Sequence, residues 1–458
     1  MKQDMTKGNI FPILLKFMLP LFIGNVFQQL YNMADSIIVG QFVGTNALAA
    51  VGSTGTIMFL MQGFATGMTA GFAVLTAQRC GAKDEEGIRI SVANGMILTL
   101  ITGACLMVVF LITLPAILRL MNTPAEIMRD ARTYITIICG GLIATMYYNL
   151  FSAFLQSVGN SRTPLFLLVF AAILNVFLDL FFIINLKMGV AGAALATILS
   201  QGVSAALCFI YIFKNVRELV PLRRHWRLTG WASKIQLKMG LPMALQSAIT
   251  ASGTMIMQAA VNKFGANAVA AFTAAGKVGG ILMQGPFSMG QTMASYCGQN
   301  YGSTDLPRIK KGVQTALLMM TVYSILCTFL APALMPLAAK LFFPAGSDMK
   351  ELLGYANVYI GISRWLYIPL SCIFIFRSSM QGCSYALLPT ASGIIEFFTR
   401  LIVAGISITT HSYFLAVACD PAAWLTAGIF NIFAFFYVER DLRKKFGEKQ
   451  PDAGTQTA

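Results

Sequence analysis

Apolar residues arrive in long unbroken runs along this chain. From Ile10 almost to Phe446, stretches of 20 residues or more that are predominantly apolar alternate with short polar breaks. A hydrocarbon core about 30 Å thick takes roughly 20 helical residues to cross. Twelve segments meet that length: 11–38, 48–77, 90–115, 130–156, 162–185, 189–213, 233–262, 268–298, 309–334, 351–382, 387–410 and 420–440. Runs such as Ile97 to Leu114 lack period-two alternation, which excludes a transmembrane barrel. The pattern predicts an all-α polytopic membrane protein with twelve transmembrane helices.

The pattern also repeats. Leu15-Lys16-Phe17-Met18-Leu19-Pro20 returns as Leu237-Lys238-Met239-Gly240-Leu241-Pro242, and Asn46-Ala47-Leu48-Ala49-Ala50 as Asn267-Ala268-Val269-Ala270-Ala271. Met61-Gln62-Gly63 returns as Met283-Gln284-Gly285, and Gln156 with Pro164 as Gln381 with Pro389, at an offset that drifts only from 221 to 225. Such self-similarity predicts two pseudo-symmetric halves of six helices each. An even number of spans per half makes both run the same way through the membrane, and parallel repeats of this kind enclose a cavity that opens alternately to the two faces. The expected organisation is an N-terminal six-helix lobe over 1–214, a basic cytoplasmic linker over 215–231 and a C-terminal six-helix lobe over 232–446. A polar, apolar-poor tail follows over 447–458 and is expected to be disordered.

Composition sharpens the class. Hydrophobic residues make up 57% of the chain against 11% charged, and mean hydropathy is +0.70. A net charge of +15 raises the question of nucleic acid, which the location of the basic residues answers. With both termini cytoplasmic, the inner side carries 23 of the 33 Lys and Arg, the outer side seven, and Lys277, Arg364 and Arg400 fall within the membrane. That asymmetry sets orientation. The charge therefore reads as topology and contact with anionic lipid rather than nucleic-acid binding. Met1 to Asn9 is polar and the first apolar segment lacks a small-residue cleavage motif, so the first span is expected to remain in the mature chain. Nine scattered cysteines show no zinc or disulfide spacing. The expected location is the cell membrane, and a monomer is expected.

Three carboxylates, Asp35, Asp179 and Glu396, lie deep in the apolar segments, while the other fifteen acids fall in loops, ends or tails. An intramembrane acid is a functional-site hypothesis by default. At 1.5 Å per residue Asp179 lies roughly 12 Å below the turn at Lys187, with Asn175 one turn deeper on the same face. Asp35 lies roughly 10 Å from the same boundary, and Thr197 reaches a comparable depth on the returning span. Asp35, Asn175, Asp179 and Thr197 can thus share one layer. Carboxylate, amide and hydroxyl oxygens suit a hard cation such as sodium, and two nearby carboxylates in low dielectric also suit proton binding. Asn175 and Thr197 equally fit the plainer role of bonding neighbouring helices. In the second half Asp35 aligns with Ile256 or Met257 and Asp179 with Ala404, so both acids are missing there.

The segment Gln28-Gln29-Leu30-Tyr31-Asn32-Met33-Ala34-Asp35 followed by Val39-Gly40, the run Asn175-Val176-Phe177-Leu178-Asp179, and Gly189 to Thr197 together resemble the multidrug and toxic compound extrusion (MATE) transporters. The resemblance covers essentially the whole chain. It implies a V-shaped pair of six-helix lobes that exports organic, often cationic compounds in exchange for protons or sodium. It also implies an N-lobe cation site at Asp35, Asn175, Asp179 and Thr197 and a bending first helix at Pro20. The sequence departs from branches of the family with acids in spans seven and ten, since here those spans offer Gln246-Ser247-Ala248-Ile249-Thr250 and Arg364. Coupling is accordingly expected in the N-lobe.

Pro20 removes a helix hydrogen bond and can kink span one as a conformational switch, although Pro242 repeats it on a helix without the acid. Lys277, Arg364, Glu396 and Arg400 are read as C-lobe buried charges, with Glu396 and Arg400 at the spacing of an ion pair. They form either a neutralised structural network or a second proton or substrate site. Candidate cavity residues are Gln28, Tyr31, Tyr147, Gln284 and Gln291, with Met257, Met283 and Tyr367 as adaptable apolar contacts. The expected function is a secondary active antiporter for organic compounds. The alternative is a flippase or exporter of lipid-linked or other anionic substrates. No cofactor is expected beyond the coupling ion. Neither His225 nor His411 belongs to a metal motif or partners a nucleophile, so no enzyme is expected.

Overall fold

The computed structural model describes residues 3–120, 124–342 and 349–447. Among them the regular elements are helices and no strand occurs. The first half contributes α1 (Ile10–Phe42), α2 (Thr45–Gly81), α3 (Glu85–Leu120), α4 (Ala125–Gly140), α5 (Leu142–Ser157), α6 (Arg162–Leu180) and α7 (Val190–Asn215). The second contributes α8 (Gly230–Val261), α9 (Ala266–Leu282), α10 (Gln284–Gly302), α11 (Leu306–Phe342), α12 (Met349–Ser363), α13 (Tyr367–Gly382), α14 (Leu387–Thr410) and α15 (Tyr413–Gly447). Every predicted span holds one helix or a broken pair, the pairs being α4 with α5, α9 with α10 and α12 with α13. Among the described residues nine helices are long and apolar enough to cross a membrane, or ten when the α4–α5 pair, bent by 46°, counts as one. The predicted tail at 448–458 lies outside the described residues.

Helices overrun the apolar segments that announce them. Hydropathy reports only the stretch matched to hydrocarbon, whereas a helix continues as long as its backbone hydrogen bonds do. One consequence is a correction: α15 begins at Tyr413 rather than near 420, which places Asp420 inside a helix, 9% exposed, instead of at a loop end. Asp420 therefore joins Asp35, Asp179 and Glu396 among the buried carboxylates of the apolar body.

The chain divides into two compact units. Unit one gathers Gln3, Leu19–Cys80 and Asp84–Ala248, and unit two gathers Asp4–Met18, Gly81–Lys83 and the described residues from Ile249 onward. Two long helices thus change unit along their length, α1 between Met18 and Leu19 and α8 between Ala248 and Ile249. Both stay helical through their internal prolines, Pro20 and Pro242. In unit one the first turns of α8 are fixed by Gln236, whose amide donates to the Phe72 carbonyl at 3.1 Å and the Ser91 carbonyl at 2.8 Å. Its core is built on Met68, Phe72, Met146 and Phe154. Unit two has its own core, in which Tyr367 stacks on Trp424 with ring centroids 6.3 Å apart.

The break between α4 and α5 sets how α7 approaches. A Cβ at Gly141 would lie 1.4 Å from the Ile198 side chain, so glycine is what lets α7 lie against the bend. Ile198 is the neighbour of Thr197, and α4 carries Tyr134 on its buried face.

Candidate functional site

In unit one α1 presents Tyr31 and Asp35 one turn apart, and α6 presents Asn175 and Asp179 at the same spacing. The helices are apolar around these positions, so each polar group is carried to depth by its neighbours' need for burial. Asp35 is 9% exposed, Asn175 1% and Asp179 0%. The Asp35 and Asp179 side chains come within hydrogen-bonding reach of each other. Asn175 Nδ2 lies 3.5 Å from Thr197 Oγ1, which itself donates to the Ala193 carbonyl at 3.0 Å. The Tyr31 hydroxyl also reaches Thr197. All four residues of the predicted layer are brought together, with Tyr31 as a fifth.

Tyr134 lies in the same place: it is 2% exposed and packs with Ile38, Val39 and Ile183. Nothing in its sequence context marked it, although α4 is the one segment here with a clear polar stripe and Tyr134 sits opposite that stripe. Val39, Val51, Ile183, Val190 and Ala193 wall the site with apolar surface. Two residues past Asp179, α6 gives way to a π-helical turn over Phe181–Asn185. Such turns recur at functional sites because they re-aim side chains within a helix.

The electrostatics are one-sided. No hydrogen-bond donor among the described residues reaches Asp35 Oδ1, either carboxylate oxygen of Asp179, or Asn175 Oδ1. Two buried carboxylates without a cationic partner are costly unless something neutralises them. A proton shared between the two acids does this, and so does a monovalent cation, since the unsatisfied atoms are all oxygens of the kind hard cations take. Among the described residues no group of three or more His, Cys, Asp or Glu side chains is placed to hold a metal ion.

Unit two solves the same problem differently. Glu396 is 3% and Arg400 2% exposed, their groups 3.4 Å apart. Arg400 Nε donates to Asp420 Oδ1 at 2.6 Å, and Arg377 bonds both Glu396 and, at 3.1 Å, Ser392 Oγ. Asn431 Nδ2 adds a bond to Ser392 at 2.6 Å, tying α13, α14 and α15 together. Two points correct the sequence reading. Arg377, assigned to the inner surface, is 8% exposed within this network. Lys277 stands outside it: α9 packs through Ala271, Ala274, Ala275 and Val278, which leaves Lys277 exposed on another face. Arg364 is half-buried, its guanidinium 5.1 Å from the Trp365 ring. Charge balance was the available signal for Asp420, because two buried arginines require more than one acid.

The predicted cavity residues scatter. Gln28 is half-buried on α1 and Gln291 half-buried on α10. Gln284 is half-buried and donates to the Gly280 carbonyl at 3.0 Å. Tyr147 donates to the Met96 carbonyl at 2.9 Å and lines an apolar recess of about 450 Å³ with Phe151 and Phe209. Met257 and Tyr367 are buried in the core of unit two, and Met283 packs against it.

An all-α polytopic chain that repeats its helical pattern, with an unpaired carboxylate couple buried in one half, is built as a membrane transporter. The MatE family model matches it twice, over residues 20–181 and 242–406, and the chain belongs to that family, whose members are transporters and not enzymes. The two matches coincide with the internal duplication. "Probable multidrug resistance protein YpnP" of Bacillus subtilis is 32% identical over 311 residues, covering 67% of this chain and 68% of that protein. A protein named "FAD transporter" from Shewanella oneidensis is 25% identical over 385 residues, covering 81% and 82%. Among solved structures, an outward-facing MATE family multidrug resistance transporter superposes with a TM-score of 0.87 at 22% identity, covering 96% of this chain and 98% of that one. A transporter from Pyrococcus furiosus, described as having a binding pocket of reversed polarity, gives 0.88 at 21% identity with the same coverage. These likenesses establish the fold.

Proposed function

We propose that this protein exports small organic compounds in exchange for protons or sodium ions, with Asp35 and Asp179 carrying the coupling ion. The observation behind the reading is the buried acid pair with three carboxylate oxygens that no donor among the described residues satisfies. Asn175, Thr197 and Tyr31 supply the surrounding oxygens. With the cavity open outward, an ion neutralises the pair, α1 rearranges about Pro20, and cargo contacts in unit one weaken. Return to the inward-open state releases the ion inside, so that each cycle converts an ion gradient into outward transport. The membrane potential supplies about 2.3 kcal/mol per unit charge per 100 mV. The site belongs in the cell membrane, with both termini cytoplasmic and one chain sufficient for transport.

Relatives named for multidrug resistance support organic cargo of varied shape. A second reading, an anionic cargo, is favoured by the FAD transporter among the relatives. The deciding experiment is efflux from vesicles of purified protein, driven in turn by a pH gradient and by a sodium gradient, with a cationic dye and a flavin nucleotide as cargo. Gradient-driven efflux is expected from the wild type and not from Asp35→Asn. Efflux at the normal rate by that variant, inserted and folded, would overturn the proposal.

A further inference from the structure

Between α7 and α8 the chain carries a segment that ion exchange does not use. Residues 216–229 form two short 3₁₀ turns, Arg217–Leu219 and Arg223–His225, joined by extended chain. One side is pinned to unit one: Leu219 is fully buried and His225 is 4% exposed. The Leu222 N–H donates to His225 Nδ1 at 3.0 Å, while His225 Nε2 lies 2.9 Å from Glu86 Oε1. Arg224 pairs with the same carboxylate at 2.8 Å, and the Thr229 N–H donates to Asn94 Oδ1 at 2.9 Å. Glu86 sits in the first turn of α3, and the segment leaves from the last turn of α7; both helices are long and apolar enough to cross the membrane. The linker is therefore held beside the first turn of one such helix and the last turn of another.

Its other side is not what water selects. Leu222 is 44% exposed, Trp226 45%, Leu228 51% and Trp231 39%. Along the same stretch Arg217, Arg223 and Arg227 are exposed, and the exposed Lys214, Lys234 and Lys238 flank the segment. Single exposed apolar side chains are ordinary on a protein surface, but a grouped set of large ones marks a contact. Tryptophan concentrates at the membrane interface because its ring is apolar and its N–H is not, and arginine is drawn to anionic headgroups. The Arg79 guanidinium lies over the Trp231 ring, 4.8 Å from its centroid. A soluble acidic partner would use the cations but leave the leucines and tryptophans unexplained.

We propose that this linker is a lipid-binding surface, in which Trp226 and Leu228 enter the headgroup region of the bilayer while Arg217, Arg223 and Arg227 bind anionic lipid. The geometry is that of an interfacial anchor, apolar groups inserted and cations at phosphate level. The test uses the full-length protein in nanodiscs of phosphatidylcholine and phosphatidylglycerol in equal parts, with bromine high on the acyl chain of one lipid or the other. The Trp226 signal is the fluorescence difference between the wild type and Trp226→Phe. Brominated phosphatidylglycerol is expected to quench it at least about twofold more than brominated phosphatidylcholine, with the excess shrinking as salt rises. The Arg217→Gln, Arg223→Gln, Arg227→Gln triple variant is expected to lose that excess. Equal quenching by the two lipids, or none, overturns the proposal. Capture of soluble polyglutamate with a lipid-blind Trp226 signal assigns the surface to an acidic protein and overturns it too. The two-lipid comparison is made with the arginines intact and so stands independently of the triple variant's folding.

Discussion

The two buried charge clusters occupy matching places in a duplicated chain and have opposite characters. The buried cluster of unit one holds two carboxylates and, among the described residues, no base; that of unit two holds Glu396 and Asp420 with Arg377 and Arg400 between them. At the 225-residue spacing between the ends of the two family matches, Asn175 corresponds to Arg400 and Asp179 to Ala404. At the 222-residue spacing between their starts, Tyr31 corresponds to Gly253, where a Cβ would already come within 3.0 Å of the Arg400 guanidinium. The space that a tyrosine fills beside the acid pair is thus left open for an arginine in the other half. The lesson is that one scaffold, copied, carries a buried acid pair without a base in one half and a buried acid–arginine network in the other. Removing one member of a buried pair leaves an uncompensated charge and is strongly destabilising, whereas removing an acid from an unpaired couple relieves repulsion.

The comparison can be broken experimentally. The largest effect is expected from Asp35→Asn and Asp179→Asn: each abolishes gradient-driven efflux while thermal unfolding in detergent is unchanged or slightly raised. A fall in melting temperature comparable to that of a core mutation would erase the distinction. Next comes Arg400→Ala, expected to cost about 3–5 kcal/mol of stability through the stranded carboxylates of Glu396 and Asp420. Chemical denaturation of the purified protein checks this, and partial rescue is expected when Asp420→Asn is added. Smaller is Gly253→Ala, which pushes a methyl against the Arg400 side chain and is expected to cost about 1 kcal/mol in the same assay. Smallest is Thr197→Ala, which removes one oxygen from the ion site. It is expected to raise the ion concentration for half-maximal efflux by about severalfold without changing stability; an effect as large as that of Asp35→Asn would make Thr197 the centre of the site instead.

Much of this was legible in the chain because it depends on local quantities. Asp35, Asn175, Asp179 and Thr197 could be assigned a common depth from rise per residue and from the apolar residues around them. The duplication was written directly in repeated short strings, and Glu396 and Arg400 were paired by their spacing alone. Other members escaped for a nonlocal reason. Tyr134 is brought to the acids by the packing of α4 among residues of α1, α6 and α7 far from it in the chain. Arg377 and Asp420 are buried only because α13, α14 and α15 converge on Glu396, and nothing within ten residues of either announces it.

The sequence by itself determined that the chain crosses a membrane many times, which follows from summing transfer free energies along a helix, that it is a tandem of two related halves, which its repeated strings record, and that Asp35, Asp179 and Glu396 lie deep in apolar segments. Only the tertiary structure decided which acids face a base, which long helices change unit near their prolines, and which side of the basic linker is left uncovered. Those outcomes depend on contacts between residues far apart in the chain, and hydropathy, a sum over neighbours, carries no record of them.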